Sequence, residues 1–181
     1  LTPLGGAGSG SLPFHPHHDI NLGGGLDLAV DLADGHADLH QAALSIPGRG
    51  PDLVVGQSWD SLLGQAGLTT TAGQGWSTDL SPRMSSVTGL LTGTIIYTDS
   101  TGAVWPFRYT GSLGAILSYY SSYATPPGLP WQLYTSSSGY ELYSVLTGEQ
   151  LLFDNLGRYL QDKDTYGNTT TLAIRARRAR R

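Results

Sequence analysis

Three aspartates each precede a glycine by three positions, in Asp99-Ser-Thr-Gly102, Asp154-Asn-Leu-Gly157 and Asp164-Thr-Tyr-Gly167. Ser136-Ser-Ser-Gly139 repeats the frame with a hydroxyl in place of the acid. This spacing limits what the chain can fold into. Asp or Ser at the first position of a type I turn accepts from backbone N–H groups two residues on, and Gly at the fourth tolerates the positive φ that returns the chain to an antiparallel strand. Such signals, about ten residues apart between short apolar runs, predict an all-β fold: an antiparallel meander of short strands and hairpins.

Composition points the same way. Only 13% of the residues are charged and 25 are glycine, which favours turn-rich β structure over exposed helices. The length of 181 residues suits one domain, or a piece of one, that buries roughly 70% of its unfolded surface. Five of the ten bases lie in the last seven positions, so residues 1–174 hold 14 acids against five bases, a net charge of −9. An acidic body is a poor match for phosphate backbones, and nucleic-acid binding by the folded part is not expected. The absence of cysteine removes disulfides, thiolate zinc sites and cysteine nucleophiles. No apolar run approaches the length of a membrane span, and no signal peptide is recognisable. A start at Leu1 suggests a fragment.

Three regions are expected. Residues 1–25, rich in Gly, Pro, Ser and His, have the composition of a flexible lead-in. Residues 26–174 form the β-rich segment, and 175–181 an Arg-rich tail. Leu26, Leu28, Val30 and Leu32 alternate with polar or small residues as a half-buried strand requires, and Asp34-Gly35 is a hairpin signal. A helix through Leu28, Leu32, Leu39 and Ala43 is the rival, disfavoured by Gly35. Pro47, Gly48, Gly50 and Pro51 force a bend. Ala103, Trp105, Phe107 and Tyr109 share one face, and Pro106 belongs on an edge or at a bulge. Further strands are expected near Gln132–Thr135, Tyr140–Leu146, Gln150–Phe153, Arg158–Gln161 and Asn168–Ile174. The expected buried positions are Leu28, Val30, Leu39, Val54, Trp76, Ile96, Trp105, Phe107, Leu142, Phe153 and Leu172.

Several patterns imitate chemical sites. His15, His17, His18 and Asp19 are metal-ligand types, but Pro16 splits them within an unbraced segment, so a solvated loop is expected. "DKDTYGN" from Asp162 resembles the start of a calcium loop, yet Tyr166 and Ala173 stand where oxygen ligands belong. "GQSWD", Gly56 to Asp60, approaches a nucleophile elbow around Ser58, but Asp60 replaces the final Gly and no helix pattern follows. Gly5, Gly6, Gly8 and Gly10 lack the strand and the Lys-Ser/Thr of a phosphate loop. Asn168-Thr169-Thr170 matches the glycosylation acceptor pattern, and a turn explains it equally. Trp59, Trp76, Trp105 and Trp131 suit a core better than a sugar-stacking platform. No catalytic, cofactor-binding or metal-ligating residue is therefore assigned, and no cofactor is expected.

"FDNLGRYLQDKDTYGNTTTL" resembles one unit of the RHS/YD-repeat family through Phe153, Asp154, Gly157, Arg158, Tyr159, Asp164, Gly167, Asn168 and Thr169, with Phe153 in place of the eponymous tyrosine. The upstream stretch is similar to the segment preceding the repeats in bacterial members, through Asp31, Gly35, Leu39 and the block Ser45-Ile46-Pro47-Gly48-Arg49-Gly50. The likeness covers roughly residues 29–174. It implies an open fragment of a hollow β-shell, of the kind that in polymorphic toxins encloses a C-terminal effector. The implied partners are the remainder of that shell and the enclosed domain, and the implied setting is secreted or on the bacterial cell surface. The chain departs from the family in holding one unit, with no downstream repeats, self-cleaving segment or toxin. "RARRARR" replaces the next expected strand, which suggests truncation or a change of frame. A non-catalytic shell segment is expected, its open strand edges prone to self-association. The alternatives are a free-standing cell-surface module for glycan or protein and, more remotely, a hydrolase.

Overall fold

A computed structural model describes residues 9–48, 53–70, 72–87, 93–110 and 123–173. The described residues are almost entirely β, in antiparallel sheets of short strands, none closed into a barrel. Strands β1 (His17–Gly23), β2 (Leu26–Asp31), β3 (Ala37–Ile46) and β4 (Leu53–Asp60) run as successive hairpins. The helix α1 (Ser61–Gln65) and the small hairpin β5 (Thr69–Thr70) and β6 (Gly73–Gln74) follow, and β7 (Trp76–Thr78) returns beside β4 to complete the first sheet. The second sheet has the order β11-β10-β9-β8, from β8 (Arg83–Val87), β9 (Thr94–Thr98), β10 (Val104–Tyr109) and β11 (Tyr123–Ala124). The third is a meander of β12 (Trp131–Ser136), β13 (Gly139–Ser144), β14 (Gln150–Asp154), β15 (Tyr159–Lys163) and β16 (Thr169–Thr171).

The three Asp-x-x-Gly turns are bonded alike. Asp154 Oδ1 accepts from the N–H of Leu156 and Arg158, Gly157 N–H donates to Asp154 O, and Asp154 N–H closes the hairpin on Arg158 O. Asp99 and Asp164 repeat each bond, Asp99 with Thr101, Gly102 and Ala103, and Asp164 with Tyr166, Gly167 and Asn168. In each case the second carboxylate oxygen takes a side-chain donor: Trp105 Nε1, Arg158 Nε or Asn168 Nδ2. Ser136 and Gly139 form a tighter hairpin in which they pair directly. Asp31 and Ser144 open a wider turn, in which Gly35 or Gly148 donates to the opening carbonyl and the following residue closes the pair.

The core lies between the second and third sheets. Met84, Ile95, Tyr97, Trp105 and Phe107 meet Leu133, Leu142, Leu151 and Phe153, and Leu12 joins them from the lead-in. Each of these large side chains contributes about 1.5–3 kcal/mol by leaving water. The Asp154 turn ties the sheets together, because Met84 N–H donates to Gly157 O at 2.8 Å and a Cβ on Gly157 would lie 1.9 Å from Met84 O.

Most of the expected strands are found, and five of the eleven positions expected to be buried are so. Ile96, Trp105, Phe107, Leu142 and Phe153 are buried; Leu28, Val30, Leu39, Trp76 and Leu172 are half-buried. Val54 is exposed, because its stretch of the first sheet has no cover among the described residues. Pro106 is exposed on β10, and β11 pairs only at Arg108 and Tyr109, so no ladder bond is needed on that side.

The lead-in differs from its expected looseness. His17–Gly23 forms β1 and pairs with β2, while Ser9, Gly10 and Leu12 are buried. The exposed edge of β2 supplies the partner that composition does not reveal. A helix also follows "GQSWD", ended early by Gly67 at a φ of 71°; Asp60 caps it by accepting from Leu63 N–H.

Candidate functional site

Strand pairing sorts the first sheet into two unlike faces, since residues directly opposite in antiparallel strands share a side. One face carries the apolar row Ile20, Leu28, Leu39, Trp59 and Trp76, one residue from each strand. The other carries Asp38 opposite Asp60 and His40 opposite Ser58, which in turn faces Ser77. The polar face is the better covered of the two: Asp38, Ser58, Asp60 and Ser77 are all buried. The lead-in lies over the Asp60 end, where Gly10 N–H donates to Asp60 Oδ2 at 2.6 Å, and the β9–β10 turn lies over Ser77, whose hydroxyl donates to Ser100 O.

At the end of this face His36 enters a ring of acids. Its imidazole Nδ1 lies 2.6 Å from Asp34 Oδ1 and 3.7 Å from Asp31 Oδ2. Its Nε2 lies 3.3 Å from Asp38 Oδ2 and 3.7 Å from Asp60 Oδ2. Asp31 also holds His15 Nδ1 through its Oδ2 and accepts from Ala33 N–H through its Oδ1. A carboxylate can only accept, so the short bond to Asp34 puts the proton on Nδ1.

Charges in the ring shift one another. Burial and the facing Asp60 push the Asp38 carboxyl up to about 7. Burial opposes the His36 imidazolium, yet the Asp34 bond and the charges of Asp38, Asp34 and Asp60 outweigh it and raise the His36 pKa. The bond from His36 holds Asp34 below the usual carboxylate range. Burial would raise Asp31, but the bonds from His15 and Ala33 prevail and lower it.

His36, Asp38 and Asp60 stand close enough to share one cation, as do Asp31, Asp34 and His36. Of the residues that the sequence singles out, Asp34 and Gly35 sit in the turn beside this ring, and His15 belongs to its rim. His18 and Asp19 are exposed on β1, apart from it. Asp38 and Asp60 escape a sequence search because only strand register brings them together. His36-x-Asp38, with two ligand types on alternate positions, is the one local hint.

The other patterns do not converge. Ser58 sits within β4 rather than on a strained turn, and no hydrogen bond joins it to His40, which faces it. His40 Nε2 instead lies 3.7 Å from Asp79 Oδ2. Asp162 belongs to β15 while Asp164 closes a turn, so they do not share a calcium loop. Pro47 and Gly48 are exposed beyond β3; Arg49, Gly50 and the tail from residue 174 lie outside the described residues. Among the described residues no helix is long and apolar enough to cross a membrane. No protein-family model matches the chain, and no curated protein matches it significantly.

Proposed function

We propose that the chain is a non-catalytic wall segment of an RHS/YD-type β-shell, which acts by enclosing or presenting another polypeptide. The observation that carries this reading is the identical bonding of the Asp99, Asp154 and Asp164 turns, the last two spaced ten residues apart in an open meander. A repeated turn of this kind builds a sheet by addition, one strand per unit. The likeness of Phe153–Thr169 to one YD unit supports it, and so does the exposure of Ile20, Leu22, Leu44, Ile46 and Val54 on the first sheet. Such side chains suit a wall that continues against further protein.

The edge of the meander supplies the test. Among the described residues β16 pairs only with β15. Leu172 N–H turns inward to Leu160 O at 2.8 Å, so the Thr171 N–H one residue earlier turns outward. An unpaired edge templates association. Light scattering after gel filtration is expected to show oligomers of the full chain, and Thr171→Pro, which keeps the inner ladder, should shift them toward monomer. A monomeric wild-type chain would count against the shell.

A second reading, a surface module for glycan or protein, draws on a cleft of about 500 Å³ lined by Leu63, Leu68, Trp76, Arg83, Asp99 and Gly102. An aromatic wall beside polar groups suits a sugar ring. Saturable binding on a glycan array, lost in Trp76→Ala, together with a monomeric chain, would favour it over the shell.

A further inference from the structure

Hydrogen bonding within the fold leaves three potential ligand atoms of the acid ring without a partner. His36 Nε2 and both oxygens of Asp38 are buried without a hydrogen-bond partner. The residues that carry them are 4% and 9% exposed. Buried polar atoms are almost always satisfied, so a group of three at one point requires a reason. Nearby groups supply it only in part: His36 Nε2 and Asp38 Oδ2 face each other at 3.3 Å but make no hydrogen bond. Asp60 uses Oδ1 on Leu63 N–H and Oδ2 on Gly10 N–H, and Asp34 is engaged with Nδ1 of the same imidazole. Asp38 and Asp60 also oppose each other directly across β3 and β4, a placement that repels unless something positive lies between them.

We propose that His36 Nε2, Asp38 Oδ2 and Asp60 Oδ2 bind a divalent cation, zinc foremost, which clamps the β2–β3 turn to the end of β4. Tetrahedral zinc with bonds of about 2.0–2.2 Å sets its ligand atoms about 3.3–3.6 Å apart. The ring nitrogen lies 3.3 Å from Asp38 Oδ2 and 3.7 Å from Asp60 Oδ2, with all three atoms within 4.8 Å of one another. A solvent oxygen would complete the tetrahedron as fourth ligand. Two positive charges balance the two carboxylates.

The surroundings fit a ligand histidine. A metal-bound imidazole typically donates its other N–H to a carboxylate, which fixes the tautomer and turns the free nitrogen toward the ion. Asp34 holds that position at 2.6 Å, with the His36 backbone N–H on the same oxygen at 3.1 Å. One imidazole among carboxylates favours zinc over magnesium and calcium, which take oxygen ligands in larger number. Since Asp60 is fully buried and His36 nearly so, the ion would serve as structural cross-link rather than as catalyst. The site is independent of whether the chain belongs to a shell.

The test uses the full chain, stripped with a chelator and titrated with Zn2+ by calorimetry at neutral pH. One equivalent should bind with a Kd of about 1 μM or tighter. Asp38→Asn should abolish that binding, and Asp34→Asn should weaken it by about 10–100-fold at unchanged stoichiometry. The double substitution His18→Ala/Asp19→Ala, at exposed positions of β1, should leave it intact. Should Asp38→Asn fail to fold, X-ray absorption of the zinc-loaded wild-type chain decides, and is expected to show one imidazole with oxygen donors only. An absence of saturable heat, binding unchanged in a folded Asp38→Asn chain, loss in the His18/Asp19 double variant, or two or more imidazoles in the absorption spectrum would each overturn the proposal. In the first case His36 is simply an imidazolium caged by acids.

Discussion

Asp38 and Asp60 face each other directly on neighbouring strands, on the buried side of the first sheet, and Asp60 does two further tasks from that position. It caps α1 through Leu63 N–H and anchors the lead-in through Gly10 N–H. Asp60→Ala strands both donors and should lower stability by about 2–4 kcal/mol in urea unfolding. Asp60→Asn keeps an oxygen for the cap and should cost about 1 kcal/mol. In both variants amide exchange near Gly10 should quicken; unchanged exchange would mean that the anchor lies elsewhere.

Gly157 and Gly167 occupy the same place in equivalent turns and have similar φ, 76° and 84°. Their surroundings differ. A Cβ at Gly157 meets Met84 O at 1.9 Å, whereas one at Gly167 meets nothing within 4 Å. Gly167→Ala should therefore cost only the left-handed strain of about 1–2 kcal/mol. Gly157→Ala adds the displacement of β8 and should cost about 3 kcal/mol or more. Equal losses in chemical denaturation would show that the Asp154 turn does not join the two sheets.

Two of the three turn acids, Asp154 and Asp164, make the fold acid-sensitive, whereas burial raises the third, Asp99. The Asn168 side-chain bond is the main force holding the Asp164 carboxyl below its usual 3.8; at Asp154 burial opposes ionisation, but the Arg158 bonds prevail and lower it as well. A depressed folded pKa stabilises above the unfolded value and is lost as pH falls through the folded one. The urea midpoint should accordingly drop from about pH 4 downward, and less steeply in Asp164→Asn. Parallel profiles would rule this turn out as a contributor.

Glu149 and Asp162 behave oppositely. Burial, then the neighbouring carboxylate, raises Glu149; burial likewise raises Asp162, against the opposing Glu149 bond. The folded state therefore binds these protons more tightly than the unfolded chain, and stability is lost as pH rises past the unfolded carboxylate range. Asp162→Asn removes one charge and gives Glu149 a donor, so at pH 7 it should stabilise by about 0.5 kcal/mol, discounted for partial exposure. The gain should vanish near pH 3. A destabilised variant at pH 7 would contradict this account.

The third sheet was readable from sequence because its turns are local. Asp154 and Gly157 settle their hairpin within four residues, and the apolar Leu151 and Phe153 alternate between the preceding turn and Asp154. The first sheet was less so. Leu28, Val30 and Leu39 alternate as predicted, yet they line its less covered face, because the lead-in and the β9–β10 turn cover the polar one. No local pattern states which side of a strand will be covered. His36, Asp38 and Asp60 read as ordinary turn, strand and cap residues until register places them together.

The docking of Ser9–Leu12 also bears on synthesis. Gly10 rests on Ala103, with 2.3 Å between the position of a Cβ and the Ala103 nitrogen, and Ser11 bonds to Thr101, ninety residues further along. On the ribosome the earliest part of this stretch must wait, solvated, while the β9–β10 loop is still being translated. Ser9–Leu12 is thus docked only after residues ninety positions later have emerged, and a nascent chain arrested before Thr101 would leave the acid ring open to solvent.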